Sequence, residues 1–157
     1  MSLLVIQAPV GAPNLNLPEI SVKADRHDLA RRRWRVTASD GQELGFDLLK
    51  PVRHGQTVYE TPTHRYVMQQ HPEAVLVIDL NLAAATAIGL GWAFGNLHLE
   101  ASSEPGVMLV PDAAAARQLL VRLEMPFTPA VRVFRPGHFS RGKLQPHELG
   151  PSHQHAG

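Results

Sequence analysis

Cysteine is absent from the 157 residues. That single absence excludes disulfides, thiolate metal sites and thiol nucleophiles together. No soft thiolate is present to hold Cu(I) or to close a structural zinc site. A cysteine-free chain also fits a cytoplasmic setting. Excess charge is missing too. The formal net charge is +1, so no global field draws the chain to nucleic acid or to a membrane. Met1-Ser2-Leu3-Leu4-Val5-Ile6-Gln7 has no basic leader, and its apolar run is too short for a signal peptide. Leu80 to Leu99 has the length of a membrane span, for which about 20 apolar residues suffice. Its content is wrong: Asn81, Thr86, Asn96 and His98 are polar, and Gly89, Gly91 and Gly95 dilute the rest. No Lys or Arg flanks it closely, so no membrane span is expected. Gly-x-Ser-x-Gly, the P-loop, His-Glu-x-x-His and Gly-x-Gly-x-x-Gly are all lacking. The chain is therefore not expected to be an enzyme.

What is present in the first half reads as β. Ile20-Ser21-Val22-Lys23 and Trp34-Arg35-Val36-Thr37 alternate apolar and polar residues, as half-buried strands do. Ser39-Asp40-Gly41 then turns the chain into Glu43–Leu48. Asp-Gly between two strand patterns signals a hairpin, because Gly accepts the positive φ of such turns. Thr57-Val58-Tyr59 and Tyr66-Val67-Met68 look like a further pair. Leu3 to Gln7 is a short apolar run stopped by Pro9. The expectation is a small all-β domain over 1–72, with a boundary at His71-Pro72-Glu73, since the residue before proline is pushed to an extended conformation.

The second half, 73–137, reads as βαββαβ. Val75–Ile78 is a continuous apolar run, the mark of a strand covered on both faces. Asn81 is placed to cap a helix from Leu82 to about Ala93, ended by Gly95. This helix is apolar almost all round, which predicts burial on more than one side. One layer of sheet cannot supply that, so a second copy of the chain is the expected cover. Strands at Leu97–Ser103 and Val107–Val110 flank the turn Glu104-Pro105-Gly106. Asp112 is placed to cap an amphipathic helix from Ala113 to about Glu124, and Val131–Phe134 is the last strand. The order predicts a ferredoxin-like fold. The whole is an α+β chain. Residues 138–157 show little apolar periodicity and read as a mobile, histidine-bearing tail.

Nine histidines are many, and four of them, His138, His147, His153 and His155, fall in the last twenty positions. His27, His54, His64 and His71 sit at turns or strand ends and read as solvent-exposed. His98 lies at the helix–strand junction in Phe94-Gly95-Asn96-Leu97-His98. Taken alone, a histidine there is either a hydrogen-bonded polar residue or a metal ligand. Arg31-Arg32-Arg33-x-Arg35 reads as a solvated β edge.

With Arg33-Trp34-Arg35-Val36-Thr37-x-x-Asp40-Gly41 in the β domain, Gly95-Asn96-Leu97-His98 in the second domain and a histidine-bearing tail, the chain resembles the UreE urease accessory family. The likeness covers about Leu3 to Phe134, and Gly-Asn-x-His is its most specific part. The resemblance implies a homodimeric, cytoplasmic metallochaperone that binds nickel and helps load it into urease. It implies work with the urease apoprotein complex and a GTPase accessory protein, and a first domain that engages partner proteins. His98 is implied as the central Ni(II) ligand, paired with its copy across a twofold axis, and His153 and His155 as added ligands from the tail. Dimers could pair further around a shared ion. Two departures stand out. The tail histidines are scattered, which argues against storage of many ions. Val110-Pro111-Asp112-Ala113 lacks the histidines that some members carry before the last helix.

Imidazole suits nickel, copper and zinc, and binds in its neutral form. Zn(II) or Cu(II) should therefore bind in vitro as well. The alternative reading is an RNA-binding or other ferredoxin-like module, since that topology hosts RNA readers. Those present aromatics on the central strands, and Leu97–Ser103 and Val107–Val110 have none.

Overall fold

The structure is a computed structural model that describes residues 2–141 and 145–148, with side chains over 2–137. The chain is mixed α+β and divides into two compact units, Met1–His71 and Pro72–Gly157.

The first unit contains β1 (Leu4–Ile6), β2 (Glu19–Ala24), α1 (Arg26–Ala30), β3 (Arg33–Thr37), β4 (Glu43–Asp47), β5 (Thr57–Glu60) and β6 (Arg65–Gln70). They form two three-stranded sheets, ordered β1-β4-β3 and β2-β6-β5. The Asp40-Gly41 hairpin joins β3 to β4, with Gly41 at φ 90°, the left-handed region that glycine enters without a Cβ clash. Both sheets feed one core, in which Phe46 and Leu44 meet Val22, Val58, Tyr66 and Met68. Trp34 stacks on Phe46 at 4.3 Å between ring centroids. The first unit is not purely β, which corrects the all-β expectation. Asp25 accepts a 2.8 Å hydrogen bond from the backbone N–H of Asp28 and starts α1, whose Leu29 is buried in the core. Five residues are too few to show a helical period in sequence.

The second unit runs β7 (Glu73–Asp79), α2 (Ala84–Asn96), β8 (Ser102–Glu104), β9 (Val107–Pro111), α3 (Ala114–Arg122) and β10 (Thr128–Arg132). The sheet order is β10-β7-β9-β8, and every pairing is antiparallel. Side chains alternate across a strand, so β7 serves two cores. Leu76 and Ile78 pack with Leu90 and Phe94 of α2 and with Ala116, Leu119 and Leu120 of α3. Val75 points the other way, to Leu109 and Phe134. A strand used on both faces is the reason that Val75–Ile78 shows no polar alternation.

Element ends differ from the sequence reading, each for a local reason. Asn81 does not cap α2. Its backbone N–H is taken by the Asp79 carboxylate at 2.7 Å, and the helix starts at Ala84 without a side-chain cap. Asp112 does not cap α3 either; Arg117 grips it through two bonds of 2.6 and 2.8 Å. Arg117 holds the Asp112 carboxyl below its ordinary range. The final strand is Thr128–Arg132 rather than Val131–Phe134, because Phe134 leaves the sheet to fill its second face. The stretch from 138 is not simply a tail. His138–Arg141 (β11) and Gln145–Glu148 (β12) pair as an antiparallel hairpin. Among the described residues, no helix is long and apolar enough to cross a membrane.

Candidate metal centre

The end of α2 builds the candidate site. The helix does not stop at Gly95 but runs through it to Asn96. The left-handed residue that closes it is His98, at φ 53°. Its N–H donates to the Gly95 carbonyl at 3.0 Å, and the Leu99 N–H donates to the Phe94 carbonyl at 3.1 Å. These are the paired bonds of a Schellman cap, in which the position held by His98 is usually glycine. Phe94, 1% exposed, fixes the last turn to the core. The cap then turns the chain out of the helix and leaves the His98 side chain exposed. The same turn leaves Leu97 to Ala101 outside regular structure and delays β8 to Ser102, which corrects the expected strand from Leu97.

The surface beside His98 is apolar. Ile88 and Trp92, one turn apart on α2, are 72% and 71% exposed, and Leu97 is 44% exposed. Leu90 and Phe94 are the buried residues of the helix. Among the described residues nothing covers Ile88 and Trp92, so the expected burial of α2 on more than one side is not seen there, and an apolar face points outward. No basic residue lies in the last turn of α2, so nothing there offsets the negative end of the helix dipole.

His98 is the only imidazole at this place among the described residues. Among the described residues, no three His, Asp or Glu side chains converge in a way that could hold a metal ion. His153 and His155 lie outside the described residues, as do the side chains of His138 and His147. The remaining histidines belong to the first unit. His54 and His71 are exposed and His27 is carried on α1. His54 Nδ1 accepts a 3.0 Å bond from the Gln70 N–H. Its ring proton then sits on Nε2, which leaves no lone pair for a metal. His64 is half-buried, with Nδ1 2.9 Å from Thr63 Oγ1 and Nε2 3.4 Å from the Tyr66 hydroxyl. That hydroxyl donates to Asp40 at 2.8 Å. Burial, then the Asp40 carboxylate, pushes Tyr66 up to about 12. The backbone N–H of Gln42 does most to hold Asp40 below its ordinary range. These groups satisfy one another and lock a hairpin.

The sequence reading missed two residues that bear on the site. Phe134 is fully buried against Val75 and Leu109, and the Gly137 N–H donates to the Ala101 carbonyl at 2.8 Å. The signal available was Arg135-Pro136-Gly137, which ends a strand but does not reveal where the chain goes next.

Comparison with known proteins decides the family. The family described as "UreE urease accessory protein, C-terminal domain" matches residues 73–156, a span that includes His98 and the tail histidines. The chain belongs to the UreE family. A UreE urease accessory protein from Deinococcus radiodurans is 33% identical over 130 residues, 82% of each chain. One from Rhodobacter capsulatus is 29% identical over 129 residues, 80% of each chain. One from Geobacillus kaustophilus is 31% identical over 102 residues, covering 64% of this chain and 68% of the relative. Membership in the UreE family carries a urease accessory role rather than a catalytic one.

Proposed function

We propose that the chain is a nickel metallochaperone that works as a homodimer and delivers Ni(II) during assembly of the urease active site. One observation carries the reading: an exposed histidine stands at the end of a helix whose outer face is apolar and has no cover among the described residues. An isologous contact brings the same patch of both copies face to face. Burying Ile88 and Trp92 drives the contact, and the two His98 side chains then approach one axis. The ion is cargo. Two imidazoles make a site of moderate strength, as a carrier needs, and tail histidines at His153 and His155 raise the ligand count. By the Irving–Williams order Cu(II) binds such a site more tightly than Ni(II), so selectivity comes from supply and partners. The strand order β10-β7-β9-β8 with both helices on one face supports a ferredoxin-like second domain. In this reading the first domain docks the urease apoprotein complex and a GTPase accessory protein, in the cytoplasm. The alternative of an RNA reader loses its platform, since Phe134 occupies the sheet face such proteins use.

Isothermal titration tests the proposal. About one Ni²⁺ should bind per dimer, as a shared axial site requires. His98→Ala should abolish that binding while sedimentation still shows a dimer. Deleting Gly150–Gly157 should weaken binding by about tenfold, or 1.4 kcal/mol. Unchanged titration of His98→Ala refutes the site.

A further inference from the structure

The chain leaves the second unit's sheet at one edge and is carried to the other. It exits from β10, while the opposite edge is β8. Three spacings separate these strands, roughly 14 Å at 4.7–4.9 Å each. Arg132, the last residue of β10, and the five residues after it make the crossing, and three of these six are attached. Arg132 donates to Glu104 of β8 at 2.8 Å. Phe134 is 0% exposed and packs between Val75 of β7 and Leu109 of β9. The Gly137 N–H donates to Ala101, the residue before β8, at 2.8 Å, with Gly137 itself at φ 76°. β11 then begins at His138 and lies against β8. The Arg132–Glu104 pair is about 40% exposed on both sides and is screened by solvent, so the buried ring of Phe134 does most of the holding.

The crossing has a consequence for the site. Ala101 follows His98 by three residues, which can span at most about 11 Å. The root of the C-terminal stretch is thus fixed beside the segment that leaves His98, not at the far edge where β10 ends. We propose that Phe134 is a positioning residue for metal capture: with Gly137 it straps the chain across the sheet and sets where the stretch that carries His147, His153 and His155 starts. This rests on the proposed metal centre at His98. A fixed root raises the local concentration of tail ligands at the ion, because that concentration depends on whether the linker's reach matches the span. A strap that only closed the sheet would stabilise the fold without any dependence on the tail.

Two measurements test the proposal together. The first is Ni²⁺ titration of Phe134→Ala and of the milder Gly137→Ala, whose Cβ is strained at that φ, each in the full chain and in a chain ending at Arg141. In the full chain each variant should weaken binding by about three- to tenfold. In the shortened chain neither should have a further effect, a coupling that a double-mutant cycle reads directly. Equal losses in both backgrounds, or no loss in the full chain, overturn the proposal. The second is metal-free: the cysteine-free chain accepts spin labels at Glu100→Cys and Ser140→Cys. Their dipolar broadening should be strong and should fall in Phe134→Ala; a pair unaffected by Phe134→Ala also overturns it. Because the labels need no nickel, a failed metal centre, seen as His98→Ala binding normally, stays distinguishable from a failed strap.

Discussion

His98 occupies a backbone position that suits it poorly. A side chain in the left-handed region sets Cβ against the following carbonyl at a cost of about 1–2 kcal/mol. Glycine avoids that cost but loses about 0.5–1 kcal/mol more chain entropy on folding. His98→Gly should therefore raise stability by about 0.5–1 kcal/mol, measured as a higher urea midpoint at unchanged slope, while nickel binding disappears. α3 supplies the control. It ends in the same way, with Glu124 at φ 53° and bonds from the Glu124 and Met125 N–H groups to the Val121 and Leu120 carbonyls. Glu124→Gly should give a similar gain and leave nickel binding intact. A loss of stability in His98→Gly alone would mean that the imidazole holds the fold rather than an ion. Strain kept at one histidine and relieved without penalty at the other cap would mark His98 as retained for function.

At the scale of elements, α2 carries the claim about assembly. Ile88 and Trp92 lie on one face four residues apart, and Trp is the residue type that most often dominates an interface. Trp92→Glu should raise the dimer dissociation constant by at least about tenfold, or 1.4 kcal/mol, seen by sedimentation equilibrium. Far-UV circular dichroism should not change, because the side chain is 71% exposed within its own chain. A dimer of unchanged strength would place the twofold contact elsewhere. Most of the elements, though not α1 or the β11–β12 hairpin, were legible from sequence, because period and turn chemistry are local. Their ends were not, because tertiary partners claimed the capping groups. Asp79 captured the Asn81 N–H, Arg117 captured Asp112, and the second sheet face captured Phe134. His98 was singled out only through Gly-Asn-x-His. Nothing in its periodicity said that Gly95 would stay helical and pass the left-handed position three residues on.

At the scale of the whole molecule, the two units have separate cores. One gathers Val22, Phe46, Tyr66 and Met68; the other gathers Leu76, Leu90, Phe94 and Leu120. Every residue assigned to nickel lies after His71. A fragment of residues 72–157 should then fold, dimerise and bind Ni²⁺ within about threefold of the intact chain, a difference under 1 kcal/mol. A unit of that size has little stability to spare, so dimer formation should add to its melting temperature and make it depend on concentration. Differential scanning calorimetry over a range of concentrations checks this, and titration of the folded fragment checks the metal. The fragment of residues 1–71 should keep its β signature and take up no nickel at the same affinity, since His54 and His64 already spend ring nitrogens on hydrogen bonds. A folded 72–157 fragment that binds nickel tenfold or more weakly would shift the argument, because ligands would then have to come from His27 or His71. Retained binding with lost urease activation would instead divide the labour cleanly, with cargo held by the second unit and partners met by the first.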